Sequence, residues 1–256
     1  MCARYTLYHP IGLVARQFAA LSDLLNAQDG PTESLADTPE SRERSGGAYE
    51  PSYNIAPTDR IVVVCEDGRR ALRLMRWGLI PHWAGARQAA RPLVNARAET
   101  LTEKPSFRDA LAKRRCIVPA SGFYEWKKAG RERLPCYITR RDGEPMAFAG
   151  LWERWDSPNG LVETCAIVTV PANHVIEPLH DRMPALLGHD NEAAWLDVGG
   201  TDADTAHELL RPCPDDWIQM HPVSPRMNRQ IVNDPECIVP AGHQTAATGS
   251  LFGDDW

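Results

Sequence analysis

The chain has no excess of positive charge. It carries 28 lysines and arginines against 34 aspartates and glutamates, a formal net charge of −6. A basic field over the whole molecule is therefore absent, and any contact with nucleic acid must come from a local cluster of arginines. It also lacks a paired cysteine motif. The seven cysteines, at positions 2, 65, 116, 136, 165, 213 and 237, are odd in number and form no CxxC. That argues against both a disulfide framework and a cysteine-rich zinc site. No HExxH or comparable ligand spacing surrounds the histidines, so neither a metal nor a cofactor is expected. No basic-then-apolar leader opens the sequence, and no run approaches the roughly 18 apolar residues that a membrane span needs. The expectation is a soluble protein of a reducing, cytoplasmic compartment, with no membrane contact. Internal repeats are absent as well.

What is present is a globular composition. A chain of 256 residues that is 43% hydrophobic has ample material for a core. Short β-branched or aromatic runs at Ile61–Cys65, Leu72–Leu79, Cys116–Val118, Phe123–Trp126, Cys136–Thr139, Met146–Trp155, Thr164–Val170 and Ile218–Val223 read as strands between Gly, Pro or charged turns. Helical patterns are fewer: Val14–Leu25, Phe107–Arg114, Glu192–Leu196 and Ala203–Leu210. This predicts an α+β fold: a single domain built on a mainly antiparallel β-sheet or barrel-like core with a few flanking helices. The domain is expected to span residues 1–240. Residues 26–52, rich in Pro, Gly, Ser and charge, read as a surface loop or disordered insertion, and 241–256 as a flexible tail.

Four segments carry candidate chemistry: MCARY (1–5), VNARAET (94–100), PASGFYEW (119–126) and HDRMP (180–184). Removal of Met1 would leave Cys2 with an α-amine and a thiol on adjacent carbons, a 1,2-aminothiol suited to aldehydes. The amine, with a pKa near 8, forms an imine, and the thiol closes a five-membered ring on the same carbon. In VNARAET, extended alternation puts Asn95, Arg97 and Glu99 on one face and Ala96 and Ala98 on the other. Glu125 sits among aromatics, where a carboxyl pKa tends to rise, so that the group both donates and accepts protons. His180 offers acid/base chemistry and Arg182 an anion clamp. Taken singly, each segment also fits a plain structural role: an incidental second residue, a solvated strand edge, an exposed glutamate, a loop with balanced charge.

Taken together with YNIAPT (53–58), WGLIPHWA (77–84), RRCIVPASGFYEW (114–126), AFAGLWERW (147–155) and HPVSPRMN (221–228), these segments resemble the SRAP family, the SOS-response-associated peptidase or abasic-site processing proteins. The resemblance runs from Met1 to about Pro240, in family order. It implies that Cys2 is the nucleophile for an abasic sugar aldehyde, giving a slowly reversible thiazolidine cross-link. Asn95 would orient the amine, Glu125 would shuttle protons, and His180 would assist opening of the sugar ring. Arg4, Arg97 and Arg182 would hold flanking phosphates, with Thr169 adding a contact. Asn54 and Pro57 would shape the pocket wall, and Trp83 would wedge or stack where single strand meets duplex. The implied partner is single-stranded DNA containing abasic sites, including junctions with duplex. One departure stands out: the family usually has Gly after the nucleophile, and here it is Ala3, which is expected to be tolerated.

Two other readings remain open. The same residues would support an N-terminal-nucleophile cysteine peptidase acting on itself. Alternatively, the arginines and tryptophans would serve a DNA-binding module in which Cys2 is inert. In the acidic tail, GSLF (249–252) suggests a docking peptide for a replication clamp. The tryptophans at 77, 126, 152 and 155 and the cysteines at 65, 116, 136 and 165 read as core.

Overall fold

The computed structural model describes residues 3–21, 49–130 and 132–243. Along the chain come β1 (Tyr5–Leu7), α1 (Ile11–Gln17), β2 (Ser52–Ile55), β3 (Arg60–Asp67), β4 (Arg69–Trp77), α2 (Ala86–Ala89), β5 (Asn95–Arg97), α3 (Pro105–Lys113), β6 (Arg115–Ala120), β7 (Gly122–Ala129), β8 (Glu132–Arg140), β9 (Met146–Ser157), β10 (Gly160–Pro171), β11 (Arg182–Pro184), α4 (His189–Leu196), α5 (Ala203–Glu208) and β12 (Ile218–Pro222). Short 3₁₀ turns follow at Pro225–Asn228, Pro235–Ile238 and Ala241–His243.

Five strands close on themselves. β3 pairs with β4, β4 with β10, β10 with β9, β9 with β6, and β6 returns to β3. Every pairing is antiparallel except β4–β10. Closure removes the exposed edges that an open sheet of such apolar strands would present. A second sheet, in the order β12-β8-β7-β1-β2, lies against this barrel. One of its faces contributes Tyr5, Phe123 and Ile138 to the main core. There Tyr5 meets Phe148 at 6.2 Å between ring centroids and Phe123 meets it at 5.9 Å, both edge-to-face. The other face carries Tyr124 and Tyr137, covered by Val223, Met227 and Cys237 from the C-terminal turns. The domain is thus α+β and single, with few helices, as its strand-rich pattern predicts.

Local signals account for most elements. α3 starts with Pro105 at its first position and buries Phe107, Ala110 and Leu111, an i, i+3, i+4 stripe. Asp202 caps α5 by accepting from the Thr205 N–H. α1 departs from expectation: it covers Ile11–Gln17 rather than running on from Val14 to Leu25. A Schellman pair ends it, with Ala20 N–H on Ala15 O and Ala19 N–H on Arg16 O. Ala19 takes the left-handed conformation at φ 48° that glycine usually fills, so the stop has no glycine to mark it. The expected insertion is packed at its far end, since Ser52 opens β2 and the Tyr49 hydroxyl donates to Leu7 O and His9 O. Most of that insertion, residues 26–48, and the docking segment 249–252 lie outside the described residues.

Candidate functional site

The site is built from the edge where β1 enters the second sheet. β7 can lie tightly on β8 because Gly122 has no side chain. A Cβ there would stand 2.5 Å from both Ile138 O and the Tyr137 hydroxyl. From that turn the register follows. Tyr5 lies across from Phe123, Thr6 from Gly122, and the Tyr124 N–H donates to Arg4 O at 3.0 Å. Continued one step, the same register sets Ala3 across from Glu125. Cys2 itself lies outside the described residues.

Glu125 is only 3% exposed and shares the inward face of β7 with Phe123. Burial raises its carboxyl pKa to about 7, and the negative charge of Asp181 adds to the rise, while the Trp126 N–H opposes it. The Asp181 effect ties Glu125 to the segment His180–Arg182 that leads into β11. There the His180 Nδ1 lies 2.9 Å from the Arg182 N–H and 2.7 Å from the Asp181 carboxylate. A neutral ring takes the first contact with the lone pair on Nδ1, and a ring protonated there takes the second. Burial lowers the His180 pKa, which favours the neutral ring with its proton on Nε2.

β10 aligns the remaining residues. It pairs with β5 in parallel, Ile167 beside Asn95 and Thr169 beside Arg97, and with β11, Pro171 across from Arg182. The expected burial pattern holds, with Ala96 and Ala98 buried, Asn95 half-buried, and Arg97 and Glu99 exposed, but the extended backbone ends at Arg97 and Ala98–Thr100 forms a 3₁₀ turn. Arg182 is 8% exposed and forks onto Glu99, Nη1 to Oε1 at 2.5 Å and Nη2 to Oε2 at 2.9 Å. Nη2 also donates to Thr169 O at 2.5 Å. The Arg182 hydrogen bonds hold the Glu99 carboxylate below its ordinary range. Thr169 is fully buried, its hydroxyl shared between Ala96 O and Arg182. In this state Arg182 is engaged by Glu99 and Thr169, and of the three residues expected on phosphates here only Arg97 faces solvent.

Arg4 is held from the opposite side. Its Nη1 donates to Asn54 Oδ1 at 2.7 Å. The buried Asn54 amide donates in turn to Met227 O, Arg229 O and Val232 O. Pro57 leads a tight turn in which Asp59 N–H meets Ala56 O and Thr58 sits at φ 78°. Burial lowers the Arg4 pKa, opposed by Asp59. Trp83 stands on a separate turn, Pro81–Ala84, with 49% of its surface exposed. That turn is anchored by His82 Nδ1 to Glu153 at 3.1 Å and by the Trp155 indole N–H to Ala84 O at 2.8 Å. Of the four tryptophans expected in the core, Trp77 and Trp152 are buried, and Trp126 and Trp155 are half-buried.

Glu99, Asp181 and Asn228 were not singled out as site residues, yet each holds one that was. Glu99 takes Arg182, Asp181 faces His180, and Asn228 gives its carbonyl to Arg4. Glu99 had a signal, its place on the Asn95–Arg97 face. For Asn228 no local pattern exists, because its partner is 224 residues away.

The architecture in hand is a small α+β barrel and second sheet that hold a buried carboxyl group of raised pKa on β7, Arg4 ahead of β1, and an imidazole and further arginines at β5 and β11. The family described as SOS response associated peptidase (SRAP) matches residues 1–230, and the chain belongs to it. Relatives include the abasic site processing protein YoqW of Bacillus subtilis, 39% identical over 241 residues, 93% of this chain and 99% of the relative. YobE of the same species bears the same description and is 42% identical over 195 residues, 75% and 87%. HMCES of Xenopus tropicalis, also so described, is 33% identical over 233 residues, 78% and 69%. A crystal structure of a protein from Bacteroides thetaiotaomicron is similar with a TM-score of 0.80 at 25% identity, covering 94% of this chain and all of that one.

Proposed function

We propose that this chain processes abasic sites in DNA and shields them by cross-linking through Cys2 in single-stranded DNA. The observation that carries the reading is Glu125, a buried carboxyl group with a pKa of about 7, on the strand that pairs with β1 just after the chain's first described residues. Chain connectivity limits the Cys2 Cα to about 3.8 Å from that of Ala3. Near neutral pH, Glu125 is present in both protonation states, so it serves as acid when the sugar ring opens and as base when the amine is freed. The Cys2 amine condenses with the aldehyde and releases one water. The thiol then adds across the C=N bond, its proton passing to nitrogen, and the thiazolidine forms with no other leaving group. His180 protonates the sugar oxygen, and Asn95 orients the amine. Both nucleophiles sit on one residue, so the second step is intramolecular.

Arg4 and Arg97 take the flanking phosphates. Arg182 and Thr169 join them when a phosphate replaces the Glu99 carboxylate on the guanidinium. Asn54 and Pro57 form the wall behind Arg4, and the exposed Trp83 ring stacks at a junction with duplex. The family description favours a second reading, cysteine autopeptidase activity, which in this scheme is confined to removal of Met1.

Intact-mass spectrometry of the purified protein, before and after mixing with abasic single-stranded DNA, tests this. The expected result is a chain lacking Met1 that gains the oligonucleotide mass less one water, and a Cys2→Ala variant that gains nothing. A persistent Met1, an unreactive wild type, or cleavage of a general protein substrate without any DNA adduct would each overturn the reading.

A further inference from the structure

The β7–β8 hairpin continues beyond Glu125 and ends in exposed cations that the scheme above leaves unused. Its register sets Lys128 directly across from Arg133, with Trp126 across from Pro135 on the same face. Like charges placed opposite one another on paired strands destabilise the pair, so this arrangement works against the fold. Lys128 and Arg133 are both exposed, and among the described residues neither engages a carboxylate. Arg229, exposed at the end of the Pro225–Asn228 turn, also engages none. Nearby Arg226 behaves differently, being neutralised by Asp234, at 2.9 Å, and by Glu236.

Lys128 lies two residues along β7 from the half-buried Trp126, on the same face, with Arg133 paired across from Lys128. The Trp126 indole N–H donates to Asn228 Oδ1 at 2.8 Å, and Arg229 is the next residue in the chain. The Asn228 carbonyl lies 3.5 Å from Arg4 Nη2, so the patch is continuous with the site. Along β7, Lys128 is three residues from Glu125, about 10 Å at strand rise. Its charge is felt at His180. In a chain of net charge −6, an unneutralised cluster flanking an aromatic ring is the local footprint that single-stranded nucleic acid requires: cations for phosphates and a ring face for a base.

We propose that Lys128, Arg133 and Arg229, together with Trp126, form a phosphate track that carries the single-stranded DNA flanking the lesion away from the site. The proposal rests on the abasic-site reading for its orientation, and its test does not depend on that chemistry. Fluorescence anisotropy would measure binding of undamaged single-stranded DNA by wild type, by Lys128→Gln/Arg133→Gln, and by the charge-retaining Lys128→Arg/Arg133→Lys. Loss of two contacts is expected to weaken binding roughly tenfold and to flatten the slope of log affinity against log salt by about 1.4. The charge-retaining variant should keep both values. A short abasic oligonucleotide carrying only the nearest neighbours of the lesion should cross-link to the Gln variant at the wild-type rate. Unchanged affinity and salt slope in the Gln variant would overturn the track. If wild type binds undamaged strands but forms no adduct on abasic DNA, the abasic-site reading fails while the track stands.

Discussion

At the scale of single residues, Glu125 pairs usefulness with a penalty. Its pKa is raised from 4.5 to about 7 by burial, so the folded state binds the proton more tightly than the unfolded chain. Stability is therefore greatest below the unfolded value and falls as pH rises through the window from 4.5 to about 7. The neutral substitution Glu125→Gln removes that loss. It is expected to leave stability unchanged in acid and to raise it by about 3 kcal/mol above neutrality. The same change should slow cross-linking by roughly 10²-fold or more. Thermal melts of both proteins in acid and in mild base check this; curves that stay parallel at every pH would refute it. The glutamate's character was legible in GFYEW, because aromatic neighbours on a strand imply a low-dielectric setting. The influence of the Asp181 charge was not, since that residue lies in a segment 56 positions further along the chain.

Elements are held to one another by single side chains that local patterns do not reveal. Asn54 on β2 donates to the carbonyls of Met227, Arg229 and Val232 and accepts from Arg4, so one amide fastens the C-terminal turns to the site. Asn54→Ala would leave Val232 O without its amide donor, Arg229 O with only the Val232 N–H and Met227 O with only Arg4, and is expected to cost about 1–3 kcal/mol. Asn54→Asp keeps the size but turns lone pairs toward those carbonyls, so it should not rescue. Urea denaturation of the two variants, read alongside DNA affinity through Arg4, decides the point; a loss below about 0.5 kcal/mol would remove Asn54 from this role. Most strands were readable from runs of β-branched and aromatic residues. The short strands β2 and β11 were not marked as strands, because they owe their form to pairing with segments distant in the chain.

Over the whole molecule, one buried cation joins three layers. Arg115 is 1% exposed, and its guanidinium donates to Trp195 O, Leu111 O, Asp197 O and Thr201 O, all of them backbone carbonyls. It fastens α3 and the end of α4 to the barrel strand β6. Arg115→Met would take the side-chain donor from all four carbonyls, of which Asp197 O keeps the Thr201 N–H, and is expected to cost about 3–5 kcal/mol. Arg115→Lys should recover little, since an ammonium lacks the planar fork. Calorimetric melts of both variants test this, and full recovery by lysine would show that charge alone suffices. In RRCIVPAS the position resembles any surface arginine ahead of a strand, and nothing nearby announces four acceptors. By itself the sequence determined the strand-rich composition, the family motifs and the residue types of the site, because periodicity and chemistry are properties of neighbours along a chain. Closure of the barrel, the pairing of Arg182 with Glu99 and the near-neutral carboxyl of Glu125 were decided only in three dimensions. Burial, dielectric and partners arise from contacts between residues far apart in the chain.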